Sequence, residues 1–312
     1  MRGLMGGLLA LILGCGGSER PGTLHRDVVL THDGEDRTYH LYEPSGFEGD
    51  RPLVLLLHGG GAVIDNHIGV GRTDWPHQVW LDLADRDGLL VVVPQGLGKQ
   101  WNDCRTDCGH CGEQDDVDFL LTLLDTVAAE HPVDPARVYV TGESNGSIMT
   151  LRLVQEAPER FAAAGVVIGG MPANSECTDP SEVPMPIQFQ VGTLDEAVPF
   201  EGGTSSNGTS GAFLSAEESV LHWVAHNQCE TTPTTWAIDD VDPDDGSTAH
   251  GQSFACPATG AEVSWITLEN AGHVPPSIQV HVSDFWEGLV GPQNHDVESA
   301  EAFWAFMAPH RR

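Results

Sequence analysis

The stretch Val138-Tyr-Val-Thr-Gly142-Glu143-Ser144-Asn145-Gly146 joins a β-branched run to a Gly-x-Ser-x-Gly turn, and the helix-compatible segment Ser147 to Glu156 follows directly. This order predicts a strand, a tight turn and a helix. The glycines remove the Cβ atoms that would block such a turn, so the serine hydroxyl stands clear of the sheet at the N-terminus of the next helix. Ser144 is therefore a candidate nucleophile. The pattern also arises by chance, so the rest of the chain must supply a base, an acid and donors for an oxyanion.

Working outward, short apolar runs alternate with helical segments. Leu53 to Leu57 is continuously apolar, as a strand buried on both faces requires, and runs into His58-Gly59-Gly60-Gly61. Trp75 to Asp87 reads as a helix, Leu89 to Val93 as a strand, and Val117 to His131 as a helix with Asp115 and Asp116 at the positive end of its dipole. Ala164 to Ile168 and Pro186 to Val191 are further short strands. Ala216 to Asn227 is a helix, Ala261 to Leu268 the last strand, and Ser299 to Ala308 a closing helix. Upstream, Arg26 to Thr31 and Arg37 to Tyr42 flank His32-Asp-Gly34 as a hairpin. The rhythm predicts an α/β fold with a mostly parallel central sheet flanked by helices. Gly96 to Glu113 and Glu201 to Gly211 read as loops, and Asp239 to Gly246 as an acidic, solvated turn without the full pattern of a calcium loop.

The partners of Ser144 are expected on loops after later strands. Asp195 follows Ile187-Gln-Phe-Gln-Val191-Gly192, and His273 follows the last strand through Glu269-Asn-Ala-Gly272. A serine hydroxyl needs an imidazole to take its proton, and the imidazole needs a carboxylate to fix its tautomer. The order Ser, Asp, His is that of α/β-hydrolases. Glu196 is the competing acid. The oxyanion donors are the N–H of Asn145 and one from the glycine loop, with Gly60 preferred. His58, Gly61 and Trp101 complete the candidate site as substrate-binding residues.

The chain has 312 residues and a formal charge of −32, from 46 Asp and Glu against 14 Lys and Arg. Nucleic acid is excluded as a partner, because phosphate binding needs clustered positive charge. Residues 1–14 carry Arg2 and an apolar run too short to span a membrane, ending Leu11-Ile-Leu-Gly-Cys15. This reads as a signal peptide with a lipobox, Cys15 being the lipidation site and the sole membrane anchor; an ordinary secretion signal is the alternative. Residues 15–24 form a tether and 25–312 one catalytic domain, expected to be a monomer. The chain has seven cysteines, and the six besides Cys15 favour three disulfides in an oxidising compartment. The spacing Cys104, Cys108, Cys111, with His110, also fits an iron–sulfur or zinc set, which export disfavours; no metal or cofactor is expected. Cys104, Cys108, Cys111 and Cys177 admit three pairings, with one bridge inside the loop and one from it to Cys177 preferred.

From about Asp27 onward the sequence resembles the extracellular polyhydroxybutyrate depolymerase, acetylxylan and feruloyl esterase family, including its lipoprotein members. The resemblance rests on Leu57-His-Gly-Gly60, Ala84-Asp-Arg-Asp-Gly-Leu-Leu-Val91, Trp101-Asn102, Asp115-Asp-Val-Asp-Phe119, the serine turn, Val191-Gly-Thr-Leu-Asp195 and Gly272-His273. It implies an α/β-hydrolase fold, a serine esterase acting on small-molecule or polysaccharide-borne esters, the triad Ser144, Asp195 and His273, and a Cys229–Cys256 disulfide. Two positions depart from the family pattern: Ser147 stands where Gly is common, and Pro275 where Trp is common two residues after the base. The second removes an expected aromatic wall and tilts the expected acyl group from feruloyl toward acetyl. A depolymerase of polyhydroxybutyrate, a serine peptidase and a non-catalytic surface binding protein are the alternatives.

Overall fold

The computed structural model describes residues 20–177 and 181–312. The signal peptide, the lipobox with Cys15 and residues 15–19 of the tether lie outside the described residues.

A ten-stranded sheet runs through the molecule. Its strands in chain order are β1 (Thr23–His32), β2 (Glu35–Glu43), β3 (Arg51–Leu57), β4 (Leu90–Pro94), β5 (Val133–Glu143), β6 (Ala163–Val167) and β7 (Ile187–Gly192), then β10 (Thr234–Ala237), β11 (Thr248–Phe254) and β12 (Val263–Glu269); β8 (Gly203–Thr204) and β9 (Ala212–Phe213) pair separately. The spatial order is β1-β2-β4-β3-β5-β6-β7-β12-β11-β10. The centre, from β4 to β12, is parallel, and antiparallel pairs close both edges. Seven α-helices among the described residues accompany it: α1 (Ile64–His67), α2 (Val79–Asp87), α3 (Asp116–Glu130), α4 (Asn145–Glu156), α5 (Ala216–His226), α6 (Asp284–Val290) and α7 (Ser299–Met307).

The strand period of two divides the core. Leu53, Leu55 and Leu57 of β3 face a layer containing Phe119, Leu120 and Leu123 of α3, Met149 and Leu153 of α4, and Trp223 of α5. Val54 and Leu56 face the opposite layer, with Trp80 and Leu83 of α2 and Phe303 and Met307 of α7. Burying both faces of β3 stabilises the fold by roughly 2 kcal/mol per leucine, which is why this strand carries no polar residue after Arg51.

Several elements depart from the sequence expectation. The segment expected as one helix from Trp75 begins as a 3₁₀ turn, Pro76–Gln78, because Trp75 is extended (φ −144°, ψ 144°), as a residue before proline prefers. β5 starts at Val133, ahead of the β-branched run. β10 and β11 flank the acidic segment expected to be a solvated turn. Asp239, Asp240 and Asp244 of this segment are solvent-exposed as expected, but Asp245 Oδ2 accepts from the N–H of His295, and the N–H of Val241 donates to Asp296 Oδ1. The sequence reading also lacks α6, which buries no residue, and the short β8–β9 pair beside the Gly/Ser-rich loop.

Disulfides join Cys104 to Cys177, Cys108 to Cys111, and Cys229 to Cys256. The preferred arrangement therefore holds, with one bridge inside the long loop and one tying that loop to the segment after β6.

Candidate active site

Ser144, Asp195, His273 and the glycine loop all lie at the carboxyl ends of parallel strands, after β5, β7, β12 and β3 respectively. Ser144 sits at φ 51°, ψ −120°, a strained conformation for a residue with a Cβ. The flanking glycines are obligatory here. A Cβ on Gly146 would lie 2.4 Å from the Leu57 carbonyl oxygen and one on Gly142 would lie 2.5 Å from the Gly146 backbone. The turn is thus wedged against the end of β3, which brings the nucleophile beside the glycine loop.

The Ser144 hydroxyl donates to His273 Nε2 at 2.8 Å, and His273 Nδ1–H donates to Asp195 Oδ2 at 2.7 Å. Asp195 Oδ1 accepts from the N–H groups of Ala197 and Val198, so the carboxylate is fixed by its own turn. Burial of the His273 ring opposes protonation, but the charge and hydrogen bond of Asp195, followed by Glu143, outweigh it and raise the imidazole pKa above its ordinary value. The loops of acid and base are joined directly, since the N–H of Leu194 donates to the Ala271 carbonyl at 2.8 Å. Glu196 is solvent-exposed and makes no hydrogen bond or ion pair with His273 among the described residues, where Asp195 holds that place. The carboxylates of Glu143, Asp195 and Glu196 do not converge on one cavity, which removes the basis for reading them as an amine-recognition site.

Gly60 and Asn145 line the cavity beside Ser144, and neither backbone N–H donates to a protein acceptor among the described residues. Gly61 differs: its N–H donates to the Lys99 carbonyl at 2.8 Å, although the residue still lines the cleft.

Two of the expected substrate-binding residues are corrected. Trp101 and His58 are fully buried, and neither lines a cavity at the site. Trp101 packs on the His58 ring, its indole N–H donates to the His58 carbonyl at 2.9 Å, and its backbone N–H donates to Asn145 Oδ1 at 2.8 Å. Asn145 in turn donates to the Trp101 carbonyl and to Asp103 Oδ2. The Asn145 side chain thereby clamps the loop of residues 101–103 to the serine turn while its backbone N–H stays free. His58 Nδ1–H donates to the Gly59 carbonyl and Nε2 accepts from the N–H of Gly96, an arrangement only the neutral ring can make. Burial pushes this imidazole down to about 4.

Ser147, the departure from the family pattern, is accommodated. Its hydroxyl accepts from the N–H of Val167 at 3.0 Å and reaches the carbonyls of Gly142 and Val167, so it bridges β5 and β6. The room comes from Gly169, where a Cβ would lie 2.4 Å from that of Ser147.

Two clefts meet at Ser144 and His273. The first, of about 370 Å³, has a mainly apolar wall that includes Val63, Trp75, Ile168, Trp286 and Val290. Trp75 and Trp286 meet edge to face with centroids 5.8 Å apart. The aromatic wall that Pro275 appeared to remove is therefore supplied by α6 and the segment before α2. The second cleft, of about 190 Å³, presents Arg105, His110, Asn207 and Ser210 beside Val198 and Phe213. Arg105 is anchored by Asp103 and by the Ser210 carbonyl. The sequence reading missed Trp286 and Arg105; Trp75 was visible only as a helix start.

Residues 37–178 match the model of the esterase PHB depolymerase family. Over 305 aligned residues the chain is 29% identical to a putative esterase NocK of Nocardia uniformis subsp. tsuyamanensis, covering 91% of this chain and 82% of that protein. It is 32% identical to a poly(3-hydroxybutyrate) depolymerase of Ralstonia pickettii over 43% of this chain, but spans only 28% of that longer relative. Among solved structures it resembles an acetyl xylan esterase from Aspergillus awamori with a TM-score of 0.55 at 15% identity, over 81% of this chain and 94% of the other, a likeness of fold. With this sequence pattern on an α/β-hydrolase sheet, the chain is a carboxylic ester hydrolase similar, over residues 37–178, to the esterase PHB depolymerase family.

Proposed function

We propose that the protein is a serine esterase that works through an acyl-enzyme, with Ser144 as nucleophile, His273 as base and Asp195 as the carboxylate that orients it. The reading is carried by the unbroken hydrogen-bonded line from Ser144 through His273 to Asp195, at 2.8 and 2.7 Å. His273 takes the serine proton as Oγ attacks the ester carbonyl. Negative charge then develops on the carbonyl oxygen and meets the N–H groups of Gly60 and Asn145. His273 returns the proton to the departing alcohol, and a water molecule repeats the sequence on the acyl-enzyme to release the acid.

The two clefts support a substrate reading. The apolar cleft with Trp75 and Trp286 suits a short or compact aromatic acyl group, of the acetyl or feruloyl type. The polar cleft with Arg105, His110 and Asn207 suits a hydroxyl-rich alcohol such as a polysaccharide unit. The observed aromatic wall moves the balance back toward feruloyl. A second reading, cleavage of polyhydroxybutyrate chains, draws on α6, where Phe285 is 70% and Leu289 is 62% exposed close to the cleft residue Trp286. Rates on methyl ferulate, on nitrophenyl acetate, butyrate and palmitate, and on polyhydroxybutyrate granules separate the readings. The first predicts fastest turnover on ferulate or acetate; fastest turnover on granules favours the second, and fastest on palmitate contradicts both. Three disulfides and the apolar segment ending at Cys15 support export to an oxidising compartment, residues 25–312 acting as the hydrolase domain.

The base must be neutral to accept the serine proton, and its pKa is raised. The acidic limb of kcat/KM is therefore expected above the ordinary histidine value of about 6.5. Asp195→Asn removes the charge responsible, so it should move that limb down and lower kcat/KM by about three to four orders of magnitude. An unmoved limb would show that His273 is not the titrating base.

A further inference from the structure

Beside the serine turn lies a second constellation that the ester chemistry does not use. His67 ends α1, His77 sits in the 3₁₀ turn Pro76–Gln78, and Glu143 ends β5 immediately before Ser144. All three are buried, and one donor atom from each lies within 4.8 Å of the others. His67 Nδ1 is 3.3 Å from Glu143 Oε1, and His77 Nε2 is 3.2 Å from Glu143 Oε2. Yet none of the four ring nitrogens has a hydrogen-bond partner among the described residues. Buried polar atoms are ordinarily paired, and here two whole imidazoles are not.

We propose that His67, His77 and Glu143 form a binding site for a divalent metal ion of the zinc class, set into the wall of the apolar cleft. Ligands held at about 2.0–2.1 Å in a tetrahedron stand about 3.3 Å from one another, and each imidazole lies at that spacing from one oxygen of the carboxylate, His67 from Oε1 and His77 from Oε2. Two imidazoles and one carboxylate select zinc over calcium or magnesium, which take oxygen ligands. The carboxylate is held in place by the Trp75 indole N–H, which donates to Oε2 at 2.7 Å. His67 and Glu143 both line the cleft that Ser144 shares, so a fourth coordination position opens toward it. The ion acts as a positioning element, tying α1 and the turn before α2 to the end of β5 and so fixing the wall that carries Trp75.

The test needs no turnover and is independent of the esterase reading. Untagged protein is stripped with a chelator, dialysed against ZnCl₂ and assayed for bound metal. About one tightly held equivalent per chain is expected, with a rise in melting temperature over the stripped protein. His67→Gln with His77→Gln should lose that equivalent and the rise. Co²⁺ loaded into the wild type should give the intense visible absorption of a tetrahedral site, which keeps the test decisive if the double variant does not fold. Folded wild type that holds no zinc, a folded double variant that holds as much as the wild type, or displacement by equal calcium would each overturn the proposal.

Discussion

Ser144→Ala is expected to lower kcat by roughly a millionfold, because the hydroxyl supplies the bond-forming atom and His273 has nothing else to activate. The fold should survive. Alanine keeps the Cβ, so the backbone strain at φ 51° is unchanged, and among the described residues the lost hydrogen bond is the one to His273 Nε2. A residual rate above about a hundredth of wild type, with an unchanged melting curve, would remove Ser144 from the role of nucleophile.

The largest expected loss of stability comes from Asp116→Ala. Asp116 is fully buried at the start of α3, where it accepts from Arg37 Nη2 at 2.7 Å and from the N–H of Asn102 at 2.8 Å. Arg37 is itself buried, with its guanidinium 3.7 Å from the centre of the Phe119 ring. Deleting the carboxylate leaves a buried cation without its partner and should cost about 3–5 kcal/mol in urea unfolding. Replacing both residues by apolar ones should recover much of that, because the penalty lies in the unpaired charge. A loss below about 1 kcal/mol for Asp116→Ala would mean that water reaches Arg37. The same variant loosens Asn102, next to the Trp101 loop clamped by Asn145, so some loss of kcat should accompany it.

The position of the site was legible because its signals are local. Gly-x-Ser-x-Gly records a backbone conformation and a close approach to β3, and Asp195 and His273 each follow an apolar strand closely. Trp101 and His58 were misread because a motif gives a residue's neighbourhood but not its burial; both serve the packing under the glycine loop. The acid at Asp116 was read as a favourable helix start, while its pairing with Arg37 joins segments far apart in sequence. β10 escaped because an exposed edge strand shows no alternation, and α6 because it buries no face. The constellation of His67, His77 and Glu143 has no periodic signal, since two of its members sit in short turns.

The central claim is that Ser144 is a nucleophile activated by His273. It is tested most directly by treating the protein with a fluorophosphonate and mapping the adduct by mass spectrometry. One adduct per chain, on the peptide containing Ser144, is expected, and it should disappear in Ser144→Ala and slow severely in His273→Ala. No adduct on folded protein, or one on a different residue, would contradict the account.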